Sequence, residues 1–76
     1  MNKQEFLIDL GDAVEVTLLN NRQFNARLIH FPSQSFPYWT LQQIVYTGSD
    51  TYEIARPVMY VHAFQMMEKL NWTEKR

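Results

Sequence analysis

The chain has 76 residues, no cysteine and a formal net charge of −1, from 7 basic and 8 acidic side chains. This length allows one domain over residues 1–76, and the lack of cysteine excludes a disulfide framework and a cysteine metal site. The balanced charge argues against a protein held to nucleic acid by bulk electrostatics alone, but it permits a local basic patch or recognition by stacking. Because so short a chain buries only ~60% of its unfolded surface, self-association is the expected source of added stability.

The sequence gives no reason to expect a membrane or targeting segment. No long apolar run follows Lys3, as a signal peptide would require, and no stretch approaches the ~20 apolar residues of a membrane helix. We therefore expect a cytoplasmic protein without membrane contact.

The first predicted element is a short helix over residues 3–10. Phe6, Leu7 and Leu10 recur at helical spacing, and Gly11 would end the helix. A helix of this length is marginal alone, so we expect it to dock on another element.

Two strands joined by a tight turn follow. The first spans residues 13–19, and its apolar side chains alternate with polar ones at Val14, Val16 and Leu18. Asn20 and Asn21 supply the turn, because Asn tolerates positive φ. The second strand spans 24–31, and its predicted inner face carries Phe24, Ala26 and Leu28.

A loop separates this hairpin from the third strand. Prolines at both ends exclude a central strand over residues 32–37. The third strand is predicted over 38–46, with its inner face formed by Trp39, Leu41 and Val45. A turn at 47–50 then leads to a fourth strand that begins with residues 51–55.

The chain after residue 55 allows two interpretations. Arg56-Pro57 interrupts the fourth strand and predicts a kink or bulge, after which extended structure resumes over 58–61. A corner at His62 would then lead to a short fifth strand over 64–67. The alternative is a helix over 58–70 with the proline at its first position. The density of β-branched and aromatic residues favours the strands.

These elements together predict a mostly β domain. A short helix followed by five short strands over residues 13–67 suggests a small, strongly bent antiparallel barrel. SH3-like, Sm-like and OB-like barrels all meet this description. The polar tail, residues 71–76, is predicted to fray.

Two segments resemble the Sm-like family of RNA-binding rings, and in particular its Hfq branch. Residues 14–31 resemble the first Sm motif, in which two strands flank a tight turn and a small residue and a leucine follow in the second strand. Residues 59–64 read Met-Tyr-Val-His-Ala-Phe, which is similar to the Tyr-Lys-His-Ala signature of Hfq. The short N-terminal helix also resembles that of Hfq, so the resemblance extends from Gln4 to Met67.

The sequence departs from the family pattern at several positions. The turn glycine is Asn21, the strand glycine is Ala26, and the family's aspartate is replaced by Pro32. The basic residue of the Hfq signature is Val61, so the family's uridine site cannot be carried over whole. A divergent or phage-encoded member of the family would show such differences.

The resemblance implies assembly into a homo-oligomeric ring. In Sm-like proteins the fourth and fifth strands of neighbouring subunits pair edge to edge, and an exposed strand edge needs such cover. We expect residues 58–67 to form this edge. The predicted interface side chains are Val58, Met59, Tyr60, Phe64 and Met66.

The sequence does not assemble an active site. It has no cysteine, no Gly-rich phosphate loop and no metal-ligand spacing, and His30 and His62 lie in separate segments. We therefore expect a protein that is not an enzyme, with no cofactor, no metal and no small-molecule substrate.

Five residues are the candidate nucleic-acid contacts. Tyr38, Phe36 and His62 would contact bases, because single-stranded bases stack on aromatic faces. Arg27 and Arg56 would contact phosphates. The competing interpretations are structural: a loop plug for Phe36, a backbone hydrogen bond for His62 and a solvated surface position for Arg27.

Two functions remain open from the sequence. The first is an Sm-like ring that binds single-stranded RNA, or less readily DNA, in RNA processing or regulation. The second is a protein-interaction or scaffold module on an SH3-like barrel without a nucleic-acid role, which the net charge and Val61 favour.

Overall fold

The structure, a computed structural model, describes residues 8–75, apart from the side chains of Arg56 and Pro57. This part of the chain forms six β-strands in one sheet and no helix. The strands are β1 (Ala13–Thr17), β2 (Gln23–His30), β3 (Trp39–Gly48), β4 (Thr51–Val61), β5 (Met66–Leu70) and β6 (Thr73–Glu74). The predicted mostly β class is confirmed, and the described residues form an all-β domain. Most of the predicted helix lies outside the described residues, and positions 8–10 are not helical.

The sheet is open in its pairing but strongly curved. Its strand order is β5-β1-β2-β3-β4-β6, with antiparallel pairs throughout except for the parallel pair of β4 and β6. In a flat sheet, five spacings of ~4.8 Å would put β5 and β6 about 24 Å apart. The chain from Leu70 to Thr73 reaches at most about 11 Å. The sheet must therefore curl until its two edges approach, although no described pairing closes it into a barrel.

The concave face holds the main hydrophobic core. The predicted alternation in the first two strands is confirmed, since Val14, Val16 and Leu28 are fully buried there. The buried members of this core are Ile8, Val14, Val16, Ala26, Leu28, Leu41 and Met67. Met67 belongs to one edge strand, and Val61 at the end of β4 packs on the same core, as the curvature requires.

A second, smaller core lies on the other face of the strands. Ala13, Ile44 and Tyr52 are buried in it, and Ile54, Leu70 and Trp72 pack against them. The sequence predicts a frayed tail here, and the structure differs. β6 pairs with the first residues of β4, and Trp72 stacks on Tyr46 at 4.6 Å between ring centroids. Apolar contact thus anchors residues 71–75, because Trp72 covers a face that would otherwise be exposed.

A wide bulge divides β3 and β4 into two halves. Gln42 pairs with Val58 and Ile44 pairs with Ile54, so one residue of β3 faces three of β4. This register shift confirms the interruption predicted at Arg56-Pro57. The alternative helix over 58–70 is wrong, because those residues belong to β4, a corner and β5. Val45 is 53% exposed rather than buried as predicted, because it lies beyond Gln43, the last residue of β3 that pairs with β2, and extends past the main core.

Both predicted tight turns depend on positive φ. Asn21 has a φ of 69° in the turn after β1. The turn between β3 and β4 places Gly48, Ser49 and Asp50 at φ values of 92°, 53° and 58°. Two central residues at positive φ match the right-handed twist of the flanking strands.

We predict that Gly48→Ala lowers the free energy of unfolding by about 1–2 kcal/mol, the cost of a left-handed conformation for a residue with a Cβ. A Cβ at this position meets no atom within 4 Å, so a clash would not contribute. Urea denaturation of both proteins measures the loss. Gly48→Asn is the matched control and should lose less, because Asn tolerates this region. Equal stability of the Ala variant and the parent would contradict the turn geometry.

We predict that Trp72→Ala lowers the free energy of unfolding by about 2 kcal/mol, since it removes the half-buried ring that completes the second core. Thermal and urea denaturation measure the effect. Lys75→Ala, an exposed change in the same tail, should stay within about 0.5 kcal/mol of the parent. If the tail were frayed, neither variant would change the free energy of unfolding, and that result would contradict the anchored tail.

Candidate functional site

Four aromatic side chains form a continuous exposed surface at one end of the sheet. This aromatic patch consists of Phe36, Tyr38, Tyr60 and His62. Ring centroids lie 5.3 Å apart for Phe36 and Tyr38, 5.2 Å for Phe36 and Tyr60, and 5.5 Å for Tyr38 and His62. These separations are typical of favourable aromatic pairs. All four residues are exposed, and Tyr60 is 60% accessible.

The pairing of β3 with β4 fixes the positions of Tyr60 and His62, which form one side of the patch. Thr40 lies opposite Tyr60, and Trp39 lies opposite Val61. Because side chains alternate along a strand, Tyr60 and the next-but-one residue, His62, are expected on the same side of the sheet. The patch therefore rests on one of the two long strands and on the corner that follows it.

The loop before β3 supplies the rest of the patch and is braced by its own hydrogen bonds. The Ser33 N–H donates to the Phe36 carbonyl at 3.0 Å, and the Phe36 N–H donates back to Ser33 at its carbonyl and its Oγ. The Tyr38 N–H donates to the Phe36 carbonyl at 2.9 Å. These bonds hold Phe36 against Tyr60 in an otherwise exposed segment.

A second row of rings supports the same end of the sheet from the core side. Trp39 lies 5.6 Å from Phe31 and 5.1 Å from Phe64 between centroids, in edge-to-face geometry. Trp39 and Phe64 pack against the main core, which confirms that Trp39 points inward. The aromatic patch is thus built on a packed base.

A concavity of about 440 Å³ adjoins the patch. Its lining combines aromatic walls with hydroxyl and imidazole groups: His30, Phe31, Ser33, Phe36, Thr40 and Tyr60. Phe36 and Tyr60 belong to both the concavity and the patch. The sequence did not indicate His30 or Thr40 as binding residues, and it indicated Tyr60 for the subunit interface rather than for a ligand site. The signal for Tyr60 was its position two residues before His62 in a strand.

The predicted base contacts come together, but Arg27 lies elsewhere. Its guanidinium donates to Glu74 Oε1 at 2.9 Å and to Gln42 Oε1 at 3.2 Å, and its side chain is only 28% exposed. Phosphate binding by Arg27 would have to displace the Glu74 carboxylate. The side chain of Arg56 lies outside the described residues.

The predicted interface residues differ in accessibility. Val58, Tyr60 and Met66 are exposed by 38%, 60% and 48%. Met59 is half-buried, and Phe64 packs against the main core. Phe64 therefore contributes to folding of the single chain, whereas Val58 and Met66 are exposed toward a possible neighbour and Tyr60 is part of the aromatic patch.

The described part of the chain offers no metal centre, since it contains no group of three or more His, Asp or Glu side chains placed to hold an ion. In residues 8–75 we find no helix with the length and apolar character needed to cross a bilayer. No protein-family model, curated protein or solved structure matches this chain. The function must therefore be inferred from the residues that the fold exposes.

Proposed function

We propose that this protein binds single-stranded nucleic acid, RNA in the first place, by stacking bases on the aromatic patch, and that it does so without catalysis. The observation that carries the proposal is the unbroken series of exposed rings from Tyr60 through Phe36 and Tyr38 to His62.

The four rings of the patch leave apolar area in contact with solvent. Aromatic side chains bury large apolar areas when they enter a core, and four adjacent rings outside it form an apolar surface. Stacking one base on an aromatic face contributes about 1–3 kcal/mol and tolerates any sequence. Two or three stacked bases would supply a useful affinity without a strongly basic surface.

Two of the described cations already have carboxylate partners, which favours stacking over electrostatics as the source of affinity. Arg27 is engaged by Glu74, and Lys69 lies 3.6 Å from Asp12. Because each phosphate contact steepens the dependence of binding on salt, a site with few such contacts should show a shallow one. Arg56 remains a predicted phosphate contact.

We further propose that the sheet belongs to a small, bent, Sm-like barrel that assembles into a homo-oligomeric ring. Among the described residues, β5 pairs only with β1, and β4 beyond Tyr52 pairs only with β3. Two strand edges are thus available, and exposed edges are prone to pair with another chain. The resemblance to Sm-like proteins implies that these edges meet head to tail around the ring.

A second candidate function is a peptide-binding or scaffold module. The concavity beside Tyr60 is lined largely by aromatic rings, and such grooves also accept extended proline-rich peptides. Among the described residues, the lining of the concavity contains no lysine or arginine, which supports this candidate. Two binding measurements on the same protein, one with an RNA and one with a proline-rich peptide, distinguish the two candidate functions.

We predict that Tyr38→Ala and His62→Ala each weaken binding of an octameric uridine RNA about tenfold, because each removes one stacking face. Fluorescence anisotropy of the labelled RNA measures the dissociation constant. Tyr46→Ala is the matched control, since Tyr46 is an exposed tyrosine that lies in β3 and stacks on Trp72 instead of joining the patch. Unchanged affinity in both patch variants, or an equal loss in the control, would refute the patch as the binding surface.

We predict that Val58→Lys converts the assembly to a lower mass, because it places a charge at the exposed edge strand. Val45→Lys should leave the mass unchanged, since Val45 is an exposed valine on β3, which lies between β2 and β4 in the strand order and is not an edge strand. Light scattering coupled to size exclusion measures both. A parent protein that is monomeric at micromolar concentration would rule out the ring.

A further inference from the structure

The concavity beside the patch has the size and lining of a specific subsite. Its volume of about 440 Å³ falls within the range of small-molecule sites, ~300–1,000 Å³. Phe31, Phe36 and Tyr60 form aromatic walls and are each at least 43% exposed. Such walls accommodate a flat, apolar-faced ligand.

Three polar side chains line the same space. Ser33 Oγ accepts the Phe36 N–H at 3.2 Å, so its own O–H proton remains available to donate. Thr40 is 6% exposed, and its hydroxyl has no hydrogen-bond partner among the described residues. No described polar atom is both sealed from solvent and unpaired, so this hydroxyl opens onto the concavity. His30 adds an exposed imidazole, which both donates and accepts when neutral.

This combination selects a planar ligand with a hydrogen-bonding edge. A proline or aliphatic side chain would fill the aromatic walls but has no polar atom of its own for the hydroxyls, so a peptide could pair them only through its backbone carbonyls. Sites built around polar groups reject ligands that lack the matching groups. A nucleobase satisfies both requirements, with its faces against the rings and its edge toward Ser33, Thr40 and His30.

We infer that this concavity is a base-reading subsite, in which one base of a bound strand is identified by its edge. The neighbouring base stacks on Tyr38 and His62, where the patch continues from the shared rings Phe36 and Tyr60. Each protomer thus holds two nucleotides, one read for identity and one bound through its face alone. This inference rests on the proposed nucleic-acid function and adds sequence preference to it.

The test compares octamers of uridine, cytidine and adenosine by fluorescence anisotropy. Uridine and cytidine have nearly the same shape and differ at the pairing edge, so their affinity ratio reports edge reading. We expect the parent to prefer one octamer at least about fivefold, as one or two edge hydrogen bonds would give. Thr40→Val keeps the side-chain shape, removes the hydroxyl, and should bring the ratios toward one.

Tyr38→Ala provides the contrast, because it should weaken all three octamers by a similar factor and leave the ratios unchanged. Thermal denaturation shows whether Thr40→Val retains the fold, and Ser33→Ala is a second edge variant if it does not. The subsite is overturned if the parent binds all three octamers within about twofold, or if Thr40→Val weakens them uniformly. Both results leave nucleic-acid binding intact. Binding of a proline-rich peptide but of no octamer would overturn the subsite and the proposed function together.

Discussion

The two-residue connection between the edge strands sets the shape of this molecule. β5 and β6 stand at opposite ends of the strand order, yet only Asn71 and Trp72 separate them along the chain. Chain length therefore prevents a flat sheet. The curl that results creates the concave face on which the main core forms, and it leaves the other face in need of cover. Trp72 lies in this short connection and provides that cover against Tyr52 and Ile44.

The bulge between Gln42 and Ile44 divides the paired strands β3 and β4 into two halves with different roles. One half, with the second core and the tail, contributes stability. The other half presents Tyr38, Tyr60 and the concavity to solvent while Trp39 holds it to the core from the opposite face. A rigid base with exposed rings suits a binding surface, because the rings need little reordering when a ligand arrives.

Local patterns in the sequence were sufficient for much of the fold. The alternation of Val14 and Val16 identified the inner face of β1, and Asn21 marked its turn, because both depend on neighbouring residues only. Phe36, Tyr38 and His62 were grouped from the sequence and do lie together. What the sequence did not reveal depends on distant parts of the chain.

Arg27 shows this limit most clearly. Its partner Glu74 lies 47 residues later in a two-residue strand that has no periodicity of its own. The parallel pairing of that strand with β4 depends on the curl of the open sheet, which no local pattern encodes. Val45 illustrates a second limit, since it shares the parity of Trp39 and Leu41 but lies past the last pair of β2 with β3, where the main core ends. The alternative helix over 58–70 also arose from a local pattern, because a proline is compatible both with the first position of a helix and with a bulge in a strand.

The two tryptophans lie in different halves of the molecule, and this gives the protein two built-in optical reporters. Trp39 contacts Phe31 and Phe64 behind the aromatic patch, whereas Trp72 stacks on Tyr46 beside the tail. Since the sequence contains only these two, replacing either one with phenylalanine leaves a single emitter. Emission from Trp39 would then follow events at the exposed rings, and emission from Trp72 would follow detachment of the C-terminal strand, without any added dye.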